Sequence, residues 1–347
     1  MTVHEFKGQT VLVVGGAGFI GGNLVNMLVG AHPARVCIVD NLLSAEEAGI
    51  PRDPIVEFIR GSIADDDVLM RLENKFDYVF HLATFHGNQN SIADPIADHD
   101  NNTLTTLKLF ERIRSFDRLK KVVYSSAGCT VAEKTFDAAD ATHEDAPVSL
   151  QQDSPYAISK IVGEFYSLYY HRRHALPVVR ARFQNVYGPG EILGAGRWRG
   201  TPATVWRNVV PVFVYKAVKG LPLPLENNGI ATRDFVFVDD ICRGLLACAT
   251  RGKPGDVYNL ASGGETGIAD LAAAVNDIAG NRAAVESLPR REWDSAGKRF
   301  GCTEKSRREL GFECAVPLRE GLKRTVAWTR ENLPLIEQCI AKHRADL

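Results

Sequence analysis

The sequence predicts an α/β fold: a doubly wound parallel sheet with a smaller C-terminal lobe. Three observations lead there. Short, nearly all-apolar runs alternate with amphipathic stretches through the first half, as parallel strands covered on both faces require. The first run ends in a glycine-rich turn that opens a helix, Gly15-Gly16-Ala17-Gly18-Phe19-Ile20-Gly21. The second run ends in an acidic residue, Asp40.

In chain order, strands are expected over Thr10–Val14, Val36–Val39, Ile55–Ile59, Tyr78–His81, Lys121–Ser126 and Val178–Phe183, each too short for a helix. Helical periodicity lies between them, over Phe19–Val29, Asp66–Lys75, Asn101–Phe116 and Pro155–His174, and that alternation builds a doubly wound sheet. Ser154 is placed to cap the last of these, with Pro155 in its first turn. After Tyr187 the texture changes. Gly188, Pro189, Gly190, Gly194, Gly196, Gly200 and Pro202 make a long loop, and long loops in compact domains are usually functional. A strand follows at Phe235–Val238, then a helix over Asp239–Thr250, a last strand at Tyr258–Leu260, and helices near Ile268–Ala279, Thr303–Leu310 and Pro317–Glu337. The expected partition is one lobe of residues 1–185 with about 235–262, and a second of about 186–234 and 263–347.

Composition excludes several classes. Of 347 residues, 45% are hydrophobic and 24% charged, enough for a sizeable core. Lys and Arg number 41 against 42 Asp and Glu, which leaves no basic footprint for nucleic acid. The longest apolar run, Val209–Val218, carries Lys216 and falls short of the ~20 residues of a membrane span. His4, Glu5 and Lys7 sit where a signal peptide would be apolar. The seven cysteines are odd in number and form no Cys-x-x-Cys pair, so a disulfide framework or zinc ribbon is not expected and a cytoplasmic setting is.

The glycines carry the first chemical signal. Gly15 permits a tight turn, Gly18 lets backbone approach a pyrophosphate, and Gly21 lets helix pack on strand. The helix N-terminus offers N–H groups and a positive dipole end to phosphates. Asp40 is suited to both ribose hydroxyls of an adenosine, although a turn cap is the other reading of that residue. Asn41, Leu42 and Leu43 follow with no arginine for a 2′-phosphate, so NAD is expected rather than NADP. The second signal is Tyr156 and Lys160, four apart on one helical face. A lysine ammonium beside a phenol stabilises phenolate and makes tyrosine a usable base near neutral pH.

Gly15 to Gly21, Asp40-Asn41, His81-Leu82-Ala83, Asn102, Tyr156/Lys160, Asn185-Val186-Tyr187-Gly188-Pro189 and Arg233-Asp234-Phe235 occur in that order. Together they resemble the extended short-chain dehydrogenase/reductases that act on nucleotide sugars. The resemblance covers nearly the whole chain. It implies a seven-stranded Rossmann lobe for NAD, a smaller lobe for a nucleotide-diphosphate sugar, and transient oxidation of a sugar carbon. The cofactor contacts it implies are Gly15, Gly18, Phe19, Ile20, Gly21, Asp40, Asn41, Ser62, Ile63, Leu82, Ala83 and Asn102, with Tyr156 and Lys160. Tyr156 would take the hydroxyl proton and Lys160 would hold the nicotinamide ribose. Asn185 would contact the sugar or its phosphates, and Arg233 and Arg291 the diphosphate, whose oxygens suit arginine forks. It also implies a homodimer through the Asn101–Phe116 and Pro155–His174 helices; the latter carries Ile158, Ile161, Val162, Phe165, Leu168 and Tyr169.

One departure has a direction. Where the family has a catalytic Ser or Thr after strand five, this chain reads Tyr124-Ser125-Ser126-Ala127-Gly128-Cys129-Thr130, with Ala127 at the hydroxyl position. Ser126 or Thr130 would replace it only if the loop path differs. The segment resembles the S-S-A-C-x-x-x-E run of GDP-mannose 3,5-epimerases, which puts Cys129 on their acid/base cysteine. Arg199 stands at their second acid/base, a lysine; arginine keeps its proton and is suited instead to a substrate anion. His86 is a candidate replacement with a pKa suited to proton transfer. The expectation is an NAD-dependent nucleotide-sugar epimerase working through a 4-keto sugar, at C3 or C5 with Cys129 as acid/base. A 4-epimerase is the first alternative; a 4,6-dehydratase, a decarboxylase or a catalytically silent NAD binder are weaker ones.

Overall fold

The computed structural model describes residues 3–131, 135–291 and 297–347, with the backbone alone at Val3 and Cys129. Nine strands matter for the site: β1 (Thr10–Val14), β2 (Arg35–Asp40), β3 (Val56–Arg60), β4 (Tyr78–His81), β5 (Lys121–Ala127), β6 (Val178–Phe183), β7 (Asn185–Tyr187), β8 (Phe235–Phe237) and β9 (Val257–Leu260). Seven of them form one parallel sheet in the order β9-β6-β5-β4-β1-β2-β3. From β1 the chain runs outward through β2 and β3, then returns to β4 and proceeds the other way. That reversal opens a crevice beyond the carboxyl ends of β1 and β4. β7 and β8 pair in parallel beside it.

The helices are α1 (Phe19–Val29), α2 (Asp66–Met70), α3 (Asn88–Ala93), α4 (Pro95–Asp98), α5 (Thr105–Ile113), α6 (Pro155–His174), α7 (Val209–Val218), α8 (Val238–Arg251), α9 (Ile268–Ala279), α10 (Leu318–Glu331) and α11 (Leu333–Ala341). A π-helical turn, His99–Leu104, joins α4 to α5. Successive side chains of β1 point to opposite faces. Val11 and Val13 enter a core with α1 and α8, while Leu12 and Val14 enter one with α2, α5 and α6. The first core continues without a break into α7, α9 and α10. No described helix is long and apolar enough to cross a membrane.

Some elements differ from expectation. The apolar run Val209–Val218 is a helix with six buried residues, which explains its hydrophobicity. The helix expected from Asp66 stops at Met70, and the one expected over Pro317–Glu337 breaks at Asn332. Pro334 sits in the first turn of α11, where the missing N–H is tolerated; inside a longer helix it would not be. Val238 opens α8 rather than closing β8. The strand β7 and the helices α3 and α4 carry no period long enough to read.

One buried ionic knot fixes α6 on the sheet. Glu164 accepts from Arg182 at 2.8 Å on each oxygen, from Arg180 at 3.2 Å and from the Ser126 hydroxyl at 2.5 Å. Burial alone would raise this carboxyl, but Arg182, Ser126 and Arg180 outweigh it and hold it below its ordinary value. Its contribution to stability is therefore complete above the ordinary glutamate range and is lost as pH falls below it. Replacing Glu164 by Ala, which strands two arginines 3% and 8% exposed, should cost about 3–5 kcal/mol of unfolding free energy in urea titration.

Candidate active site

The turn after β1 is built as the sequence suggests. Gly15 has φ +84°, and a Cβ there would lie 2.5 Å from the Ala83 nitrogen; at Gly21 it would lie 2.1 Å from the Gly15 oxygen. α1 starts with no side chain capping its first N–H groups. Asp40 accepts the Ala17 N–H at 3.1 Å and the Leu42 N–H at 2.8 Å. Burial raises its carboxyl and these N–H groups oppose that, leaving lone pairs for further donors. Gly15, Gly18, Phe19, Ile20, Gly21, Asp40, Asn41, Ser62, Ile63, Leu82 and Ala83 all line one cavity of about 820 Å³. Open N–H groups at a helix start suit a pyrophosphate and the adjoining carboxylate suits a ribose. These residues fit NAD.

Asn102 does not line that cavity. It is 4% exposed. Its Oδ1 accepts from Phe85 N at 2.7 Å and the Thr84 hydroxyl at 3.0 Å, and its Nδ2 donates to Asp98 at 2.7 Å. The amide is spent holding the loop after β4.

α6 brings its catalytic candidates to the same cavity. Ser154 caps the helix through Ala157 N at 3.3 Å and ties it to Asn88 at 3.1 Å. Tyr156 and Lys160 lie on the face that carries Glu164, and both line the cavity. Lys160 Nζ donates to the Ser125 carbonyl at 3.1 Å and stands 5.8 Å from the centroid of the Tyr156 ring. The His86 ring meets the Tyr156 ring edge-on, with centroids 5.8 Å apart. Burial, then the charges of Arg199, Arg207 and Lys160, push His86 down to about 3, so its imidazole is neutral at ordinary pH.

Ser126 also borders the cavity, but its hydroxyl is committed to Glu164. Thr130 is 1% exposed and its hydroxyl turns back to the Ala127 carbonyl at 2.8 Å. Neither replaces the hydroxyl absent at Ala127. Cys129 lies in the turn Gly128–Thr130 that follows β5; its side chain is outside the described residues. The other six cysteines are free, and burial raises Cys37, Cys248 and Cys314 to about 12, too high for reactive thiols.

Comparison with known proteins decides the family. Residues 11–261 match the NAD dependent epimerase/dehydratase family. The chain belongs to that family. The Bordetella bronchiseptica enzyme WbmF, solved with NAD+ and UDP, is 59% identical, with 99% of each chain covered and a TM-score of 0.90. The epimerase Mth375 of Methanothermobacter thermautotrophicus is 40% identical, covering 97% of this chain and 96% of that one, TM-score 0.89. A putative UDP-glucose 4-epimerase of Methanocaldococcus jannaschii is 32% identical over 93% of this chain and 99% of its own.

In this epimerase/dehydratase the substrate-side candidates divide. His86, Asn185, Arg233 and Arg291 line the cavity. Arg233 donates to the Thr232 and Gly297 carbonyls at 2.7 and 2.8 Å, which orients it, and Arg291 pairs with Glu226 at the rim. Arg199 does not line the cavity, against expectation. It is 4% exposed and donates to Ser44 Oγ at 2.9 Å, to the His86 carbonyl at 3.4 Å and to the Thr204 carbonyl at 3.3 Å. Burial, then Arg207, lower it to about 9. Arg199 holds the His86 loop, and its Nε is buried without a hydrogen-bond partner.

Arg290, Arg299, Arg207, Lys216, Gln184 and Asn208 also line the cavity and were not singled out in the sequence. Lys216 follows from its helix: in α7 it lies three residues after Phe213, which also lines the cavity. Protonation of His86 below its unfolded pKa of ~6.5 is opposed in the folded state, so stability should fall as pH drops from there toward 3. A histidine ring NMR titration should show His86 unmoved between pH 8 and 5.

Proposed function

We propose that this protein inverts C4 of a UDP-linked sugar through a transient 4-keto intermediate. The observation that carries the reading is the single cavity that brings Tyr156 and Lys160 up to the Gly15–Gly21 turn and Asp40. The UDP in the WbmF structure, and a relative named as a UDP-glucose 4-epimerase, support the nucleotide and the carbon.

Tyr156 takes the proton of the C4 hydroxyl. The Lys160 ammonium, held by Ser125, favours the phenolate that does so. NAD, when bound, supplies the two-electron acceptor and later returns the pair. Asn185 faces the sugar, and Arg233 with Arg291 takes the diphosphate. Arg291, 40% exposed at its side chain, exchanges Glu226 for phosphate; an exposed pair costs only ~0–1 kcal/mol to break. The ketone turns over and is reduced from its other face.

Inversion at C3 or C5 needs a base for an acidified C–H. His86, held near 3, is too weak for that work, and Arg199 is committed elsewhere. Neither supplies that base, which leaves Cys129 as the other candidate for it and C4 inversion as the reading that needs none. In heavy water, UDP-sugars should interconvert as C4 epimers without deuterium at C3 or C5; label there would transfer the chemistry to Cys129. Tyr156→Phe should lower kcat by about 10³-fold with NAD affinity unchanged in a fluorescence titration.

We also propose a homodimer. Ile158, Phe165 and Tyr169 fall on one face of α6 with exposures of 51%, 55% and 54%, and Ile96 on the neighbouring α4 is 71% exposed. Such an exposed apolar stripe fits a second copy of the same helix. Phe165→Glu should halve the mass seen in sedimentation equilibrium.

A further inference from the structure

Phe136 and Arg290 both line the cavity, and neither has a part in the reaction above. The Arg290 guanidinium stands over the Phe136 ring, 4.2 Å from its centroid. The same ring lies against Gly297, where a Cβ would come within 2.1 Å of Phe136 Cδ1. The Gly297 carbonyl accepts from Arg233 Nη1 at 2.8 Å and from Thr232 N at 2.9 Å. One side chain, Phe136, therefore touches one cavity arginine directly and reaches a second through a single glycine.

Phe136 comes from the chain between β5 and α6, far in sequence from either arginine. Backbone pairing brings it there. Lys298 N donates to the Thr135 carbonyl at 2.9 Å in an isolated antiparallel bridge. Ala141–Thr142 pairs in parallel with Phe300–Gly301, and Cys302 N donates to the Thr142 carbonyl at 2.9 Å. Arg291, next to Arg290 in sequence, is held differently, by Glu226. A carboxylate holds an arginine by its donors and competes with a phosphate for them. A ring holds the guanidinium by its face, and stacking fixes the plane without using the in-plane N–H fork.

We propose that Phe136 is a positioning residue for nucleotide-sugar binding: its ring holds Arg290 by stacking and Arg233 through Gly297, so that both guanidinium groups meet the diphosphate. This rests on the diphosphate role proposed for Arg233 and adds Arg290 to it. Packing and stacking make different demands on the position. Leucine fills much of the space of the ring without a π face, and tyrosine keeps the face. With UDP titrated calorimetrically into the NAD-loaded protein, Phe136→Leu should weaken UDP by about tenfold, while Phe136→Tyr should stay near wild type. Arg290→Ala should weaken UDP as well. The double variant Phe136→Leu/Arg290→Ala should lose less than the product of the two single losses, because the two side chains act as one unit.

A second readout requires no variant to fold. In the unsubstituted protein, saturating UDP should move the ¹⁵Nε signals of both Arg290 and Arg233, and an unmoved signal at either would overturn the proposal. Equal UDP affinity in wild type and Phe136→Leu, or losses that simply multiply in the double variant, would overturn it too and leave the epimerase reading standing. A wild-type protein that binds UDP but turns over no UDP-sugar would end the epimerase reading, and the UDP titrations would still decide on Phe136. A wild type that binds no UDP ends the nucleotide assignment; the same variants titrated with inorganic pyrophosphate then decide, and no affinity for pyrophosphate overturns the proposal.

Discussion

The structure depends on the placement of α6, and a buried ion pair network sets that placement. Glu164 sits between Arg182 and Arg180 on β6 and Ser126 on β5, all within hydrogen-bond distance. A bidentate arginine–carboxylate contact fixes rotation as well as distance. Because Tyr156, Lys160 and Glu164 fall four residues apart on one face, locking Glu164 on the sheet locks the other two over the ends of β4 and β5. Apolar packing alone tolerates small slides. A three-partner carboxylate does not, since any slide leaves a buried charge unmet.

That network also explains what a linear reading could and could not find. The strands of the sheet were legible because parallel strands buried on both faces are almost purely apolar. β4 and β6 fall on their expected residues, as do α1 and α6. The cofactor turn was legible because glycines at fixed spacing have a steric reason to be there. The partner of Ser126 was not legible, because a hydroxyl in a run of serines carries no sign of what it bonds. Glu164, Arg180 and Arg182 look in sequence like charges on a helix and a strand, and only the fold shows them buried together.

Arg199 and Asn102 teach the same lesson from the other side. Both stand in motifs tied to ligands, and both turn out to hold the loop after β4 instead: Arg199 through the His86 carbonyl, Asn102 through Phe85 and Thr84. The polar residues of a site divide into those that meet a ligand and those that keep the first group still. Spacing identifies the set. Burial decides the division.

The epimerisation proposed above would keep a ketone in the site until it is reduced, so the order of the neighbouring loop matters. The Gly188–Gly200 loop, whose Glu191 lines the cavity, is rich in glycine, a composition that by itself favours mobility. Here it is tethered. Gly196 N–H bonds Glu46 at 2.8 Å and Arg197 N–H bonds the Leu43 carbonyl at 3.0 Å, both just after β2. His343 meets the Gly194 carbonyl at 3.0 Å, and Lys342 pairs with the same Glu46 at 2.6 Å. The C-terminal segment after α11 thus clamps the loop onto the region that begins at Asp40. Glycine supplies the backbone angles the loop needs, and the clamp removes the freedom that glycine brings. The loop and the segment that begins at Asp40 are then one mechanical unit.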